Sequence, residues 1–390
     1  MIEAEEAYTH LTRPFACIDL DAIDRNIKFV NEEALGKDIR IATKSVRSAS
    51  LLRYIAERLT KHSGYMTYDL RETLYLLSEG FDNLLLGYPQ LETGPVEEII
   101  PFIKEGRTVT FMIDCIEQWN WLDAIGVSNE VVFEVCLDIN LSKDFKVIYF
   151  GTKRSSLRTV VDVENLLAGG SSFTHTKVTG VMGYEAQIAG IADVPTARWQ
   201  APLIKRLKKM SQKKVRTFRS GAVNLVRNNY PTLRFVNGGG SGSIDFTARQ
   251  DEVTELTIGS AFYFPALFSR YDNLPLDDAV AFAVRVTRIP EKGVVVCHGG
   301  GFIASGATGT DKNPVPVWPK NLSFLKNEGA GEVQTPLKDK ERAIQIGDTV
   351  YFRHAKAGEL CERFIELHAR RGATYQGALT TYRGEGECYL

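Results

Sequence analysis

One alternation constrains this chain more than any other feature. Between about residue 14 and residue 265, short apolar runs are separated by longer segments with helical periodicity. The runs with strand character are Phe15–Leu20, Ile39–Ala42, Asn83–Leu86, Thr108–Ile113, Val131–Leu137, Val178–Gly183, Arg234–Asn237 and Glu255–Ile258. A strand-then-helix unit repeated eight times over roughly 250 residues predicts an α/β chain closed into a (β/α)8 TIM-type barrel. Past Tyr271 the helical period fades. β-branched runs broken by Gly and Pro take over (Val280–Thr287, Gly293–Cys297, Asp348–Phe352), which predicts a smaller all-β domain. The expected division is a barrel over 14–268 and a β domain over 269–390, completed by residues 1–13. Gly306–Pro319, rich in Gly, Thr, Asn and Pro, reads as a long loop of the functional kind.

Charge excludes some roles. Lys and Arg number 47 and Asp and Glu 48, so no net field draws the chain to nucleic acid or an anionic membrane. The one dense basic run, Lys205 to Arg216, has no interleaved aromatic residues and reads as the solvated face of a helix. No apolar run approaches the roughly 20 residues that span a bilayer. The opening MIEAEEAYTH is acidic and lacks the design of a signal peptide. Six scattered cysteines without a close pair fit reduced thiols, and together these features lead to the expectation of a cytoplasmic protein.

Barrel active sites form at the C-terminal ends of the strands. Lys44, in Ile41-Ala-Thr-Lys44-Ser, lies just past the second run and brings an amine able to condense with an aldehyde. Val236-Asn237-Gly238-Gly239-Gly240-Ser241-Gly242-Ser243 follows the seventh run, where barrels commonly bind phosphate. Its small residues let backbone N–H groups approach an anion, and Gly259-Ser260 after the eighth run completes the cradle. Tyr184, Glu185 and Gln187 after the sixth run add polar groups to the same rim. Of Arg154 and Arg158 after the fifth, one is expected to bind a carboxylate or a phenolic oxygen and the other to be a surface charge.

The opening Pro14-Phe-Ala-Cys-Ile-Asp-Leu-Asp-Ala-Ile-Asp-Arg-Asn26, followed by Ile41-Ala-Thr-Lys44, resembles the fold-type III pyridoxal 5′-phosphate (PLP) enzymes, the alanine racemase N-terminal-domain superfamily. Gly183-Tyr-Glu-Ala-Gln-Ile-Ala-Gly190 and Arg353-His-Ala-Lys-Ala-Gly-Glu-Leu-Cys-Glu-Arg363 are similar to segments of its amino-acid deaminase/aldolase proteins, close to D-threonine aldolase and D-serine dehydratase. The resemblance covers nearly the whole chain. It implies PLP carried on Lys44 and its phosphate in the Gly238–Ser243 loop. Arg158, Tyr184, Gln187, Asn237, Gly259 and Ser260 would complete the cofactor contacts. It also implies a homodimer in which the β domain of one subunit closes the site of the other, and a lyase acting on a small D-amino acid by aldol cleavage or dehydration. A PLP-dependent racemase is the alternative on the same fold. A PLP-binding protein without turnover would resemble the barrel alone, and a barrel for some other phosphorylated ligand would be colourless.

One position departs from the family pattern. The aldolase and dehydratase branch holds a divalent metal with a histidine and, two residues on, a cysteine or aspartate. The matching stretch here is His354-Ala355-Lys356, and an ammonium cannot ligate a metal, so no metal ligand set is assigned and the metal is in doubt. Lys356 is then expected to supply positive charge directly and His354 to transfer a proton, with His298 and Gln334 as further candidates at the same mouth.

Overall fold

The computed structural model describes residues 2–145, 149–194 and 198–389. Eight parallel strands close into a barrel: Asp38–Ala42, His62–Thr67, Leu84–Leu86, Val109–Ile113, Phe133–Asp138, Thr176–Gly183, Phe235–Gly238 and Glu255–Ile258, the first pairing with the eighth. They are called the first to eighth barrel strands below. A second sheet of nine strands, mostly antiparallel, is built chiefly from the C-terminal part of the chain.

The number of barrel strands agrees with the sequence, but one member differs. Phe15–Asp19, read above as a barrel strand, belongs to the second sheet, antiparallel to Val280–Glu291 and parallel to Glu366–Arg371. The barrel strand absent from the reading is His62–Thr67. Its HSGYMT sequence is polar and carries Gly64 at φ +115°, beside a break in register against the first strand. A Cβ at Gly64 would overlap the Asn83 carbonyl, so this irregular strand needs glycine and hides its β character. Phe15–Asp19 is apolar on both faces, as a parallel barrel strand would be, because both sides of it are covered in the second sheet as well. Lys44 therefore follows the first barrel strand, not the second.

Asp19 ends that strand and caps the next helix, Leu20–Glu33, its carboxylate accepting from the N–H groups of Asp21 and Ala22. The helix buries Leu20, Ile23, Ile27 and Val30, which share one face by their spacing of three and four. The long helix Ala201–Asn229 carries the basic run. Most of that run is solvated as expected, but Lys208 turns inward onto Asp193 at 2.7 Å, and Arg219 lies wholly buried. Inside the barrel a polar layer replaces apolar packing. Arg40 is paired with Glu255 at 2.7 Å, and Asn237 links Glu255 (2.8 Å) to Thr257 (2.7 Å). Charges this deeply buried persist only when paired and hydrogen-bonded, as these are. No disulfide joins any of the six cysteines, and no helix among the described residues is long and apolar enough to cross a membrane.

Candidate active site

The C-terminal ends of the barrel strands open into a cavity of about 780 Å³. The second sheet's loops form its rim through Ser305, Asp311, Lys312 and Lys356–Glu359 of the same chain.

Lys44 stands in a short turn, Thr43–Ser45, at the end of the first strand, its ammonium in the cavity and donating to the Tyr88 hydroxyl at 2.7 Å. The turn is clamped from the β domain. Arg47, held at φ +52°, donates to the Lys44 carbonyl at 3.0 Å and pairs with Glu362 at 2.6 Å. Gly358 lies so close that a Cβ there would overlap the Lys44 carbonyl oxygen. Val46 O accepts from Tyr263 at 2.7 Å and from Cys361 at 3.4 Å, which commits Cys361 to the interior.

Opposite the phosphate position the sequence implies, the glycine turn is fixed from behind. Glu185 is fully buried and accepts from Gly239 N–H (2.9 Å), Thr247 (2.5 Å) and Arg219 (2.7 Å). Gly239 has φ +84°, a conformation that favours glycine, and its N–H is spent on Glu185 rather than on a ligand. The backbone N–H groups of Gly240, Ser241, Gly259 and Ser260, all on the cavity wall, have no acceptor among the described residues. Ser241 Oγ accepts from Ala261 N–H at 2.8 Å, leaving its own proton to donate. A Cβ at Gly259 would lie 2.7 Å from the Ser45 side chain, and one at Gly242 would overlap Ala189 O. Free donors on a wall where side chains are excluded fit a phosphate group.

Around the remaining wall the cavity takes in Tyr184, whose phenol burial pushes up to about 12, and Asn237, Thr257 and Arg154. Arg154 is therefore the arginine that faces the site. Arg158 is exposed at the start of helix Val160–Gly169, off the cavity wall. Gln187 is buried behind the wall, donating to Leu141 O at 2.8 Å, and Glu185 braces the turn rather than lining the cavity. His298 and Gln334 pair with each other across two strands away from the cavity.

The His354-Ala355-Lys356 stretch divides between interior and cavity. His354 is buried, edge-on to Tyr263, and absent from the cavity wall. Burial, and next the Arg353 cation, push its pKa down to about 3, and neither ring nitrogen makes a well-formed hydrogen bond with a described residue. Lys356 reaches the cavity and donates to Ser305 Oγ at 2.8 Å and Glu359 at 3.2 Å. An imidazole turned into the interior and an ammonium tied to a carboxylate do not fit a divalent metal at this position. No group of three or more His, Cys, Asp or Glu residues able to hold a metal ion occurs among the described residues.

Tyr88, Arg47, Asp138 and Ser305 also line the cavity, beyond the residues expected from the sequence. Tyr88 and Asp138 sit at strand C-termini and were open to the same argument that singled out Lys44. Arg47 and Ser305 act through contacts between distant segments and leave no local signature.

Residues 18–266 match the family model of the alanine racemase N-terminal domain. The chain belongs to this family. With it comes membership of the fold-type III PLP enzyme superfamily. Among solved structures the chain is similar to D-threonine aldolase from Filomicrobium marinum, with 17% identity, TM-score 0.79, and 96% of this chain and 95% of that one covered. It is also similar to D-threo-3-hydroxyaspartate dehydratase from Delftia sp. HT23 (18%, 0.73, 96% and 98%) and to alanine racemase from Clostridium difficile 630 (16%, 0.65, 95% and 98%). At such identities the likeness is one of fold. No curated protein sequence matches the chain.

Proposed function

We propose that this chain is a PLP-dependent lyase for a small D-amino acid bearing a β-hydroxyl, with the cofactor carried on Lys44. The observation that carries this reading is the placing of Lys44 and the unpaired N–H groups of Gly240, Ser241, Gly259 and Ser260 on one cavity wall system. When bound, PLP supplies an electron sink for bond breaking at the substrate's Cα. The chain's own residues would do the rest. The glycine turn and Ser241 hold the phosphate, Tyr184 and Asn237 bound the space for the ring, and Arg154 takes an anionic oxygen of cofactor or substrate. Lys356, held by Ser305 and Glu359 at the rim, offers a positive charge to the substrate's β-oxygen where relatives of the aldolase and dehydratase branch would use a metal.

The lyase reading is favoured over a racemase by two similarities. The structures of D-threonine aldolase and D-threo-3-hydroxyaspartate dehydratase superpose more closely than that of alanine racemase. We expect the enzyme to work as a homodimer, and a monomer with full activity in analytical ultracentrifugation would rule that out. The function is tested by supplying PLP and a single enantiomer, D-threonine or D-serine, and measuring aldehyde, ammonia and inversion in parallel. Aldehyde or ammonia from the D-enantiomer alone supports the lyase. Inversion without either product would replace it by a racemase.

A further inference from the structure

Asp138 is the last residue of the fifth barrel strand, and it lines the cavity. The closed ring runs in strand order, and in a ring of eight the first and fifth members stand opposite one another. Lys44 and Asp138 therefore occupy facing walls of the mouth. No hydrogen bond from a described residue reaches the Asp138 carboxyl, although its backbone oxygen accepts from Ser155 at 2.5 Å.

The other two carboxyl groups on the cavity wall are committed. Glu359 binds Ser305 and Lys356, and Asp311 binds Lys312 at 2.5 Å. An ammonium such as Lys356 has donors only. The Tyr184 phenol is held high by burial, and His354 lies off the wall. A carboxyl without a partner, facing the amine across the space a substrate must enter, is what remains.

We propose that Asp138 is the catalytic base for the substrate's β-hydroxyl. This rests on the lyase reading and narrows it to aldol cleavage. The β-hydroxyl proton passes to an Asp138 carboxylate oxygen, and the O–H electron pair becomes the second C–O bond of the released aldehyde. The Cα–Cβ bond breaks and leaves its pair on Cα, which gains a proton from solvent to give glycine. Asp138 then returns its proton to solvent.

The electrostatics agree with the role. Burial, and next repulsion from Asp114 on the loop after the fourth strand, push the Asp138 carboxyl up to about 7, while Arg154 pulls it down. Cys136, two residues earlier on the same strand, is a further titratable group beside it, and Lys44, Tyr88 and Tyr184 line other parts of the same cavity. A base with a pKa near the working pH is the effective one. Because the carboxylate is the active form, kcat rises as pH increases through about 7 and then levels.

The test uses PLP-loaded protein with D-threonine as probe, acetaldehyde release followed from pH 5.5 to 9, alongside infrared titration of the cofactor-free protein. Asp138→Asn is expected to lower kcat about a hundredfold, to abolish the rise near pH 7 and to leave PLP affinity unchanged. Asp138→Glu should restore the rise in part. The carboxyl C=O band of the wild type should be lost with a midpoint near 7, and that component should be missing in Asp138→Asn. The proposal is overturned if PLP binds and D-threonine is cleaved, yet the Asn variant keeps its kcat within threefold or keeps the pH rise. A wild-type infrared midpoint near 4 overturns it too. If the wild type takes up no PLP, the lyase reading itself fails, a result distinct from either.

Discussion

Two ion pairs flank the same cavity, and they are built differently. Behind the glycine turn, Arg219 and Glu185 meet at 2.7 Å with both side chains at 0% exposure. On the rim, Lys356 and Glu359 meet at 3.2 Å with side chains 37% and 30% exposed. The first pair has no water to fall back on, so Glu185 also holds Gly239 and Thr247, and the whole turn is set before any ligand arrives. The second can exchange partners at little cost, since a half-exposed pair gains little from its own attraction. On the proposed reading, the rigid wall would hold the part of a ligand that never changes, and the adaptable wall would meet the part that reacts.

The contrast predicts unequal damage. Glu185→Ala would leave Arg219 charged and uncompensated in the interior, a loss of about 3–5 kcal/mol. We expect chemical denaturation to show this destabilisation together with poor PLP retention. A variant with wild-type stability would mean the cradle is not held by this pair. Lys356→Ala should leave stability and PLP affinity nearly unchanged while lowering kcat on the order of tenfold to a hundredfold, because a charge acting on a developing oxyanion matters in the transition state. An increase in KM with kcat intact would instead make Lys356 a binding group.

Smaller effects separate the two arginines. Arg154→Met should weaken PLP or substrate binding by about tenfold, the scale of one lost charged hydrogen bond, and Arg158→Met should do nothing measurable. Equal effects in steady-state kinetics would break the assignment of Arg154 to the site. The smallest expected effect is that of chelation. With an ammonium in place of a metal ligand, prolonged EDTA treatment should leave activity unchanged, and inactivation reversed by manganese or zinc would restore the metal to the site.

The two walls were also unequally legible in sequence. The glycine turn and Lys44 announce themselves by position after strands, because local backbone demands dictate residue type there. The count of eight barrel strands survived an exchange of members, since Phe15–Asp19 is as apolar as a barrel strand while His62–Thr67 is disguised by its bulge at Gly64. Residues whose role depends on distant partners were harder. His354 and Lys356 are two positions apart, yet the backbone turns one into the core and the other into the cavity, and no periodicity foretells that. Glu185 looked like a ligand-binding carboxylate until Arg219, on a helix more than thirty residues on, claimed it.

The central claim is that Lys44 carries PLP, and one measurement addresses it directly. The protein is loaded with PLP, reduced with borohydride, digested and mapped by mass spectrometry. The account predicts a single pyridoxyl modification, on the peptide containing Lys44, with Lys44→Ala protein unmodified under the same treatment. A modification on another lysine, or an unchanged yield in Lys44→Ala, would contradict it.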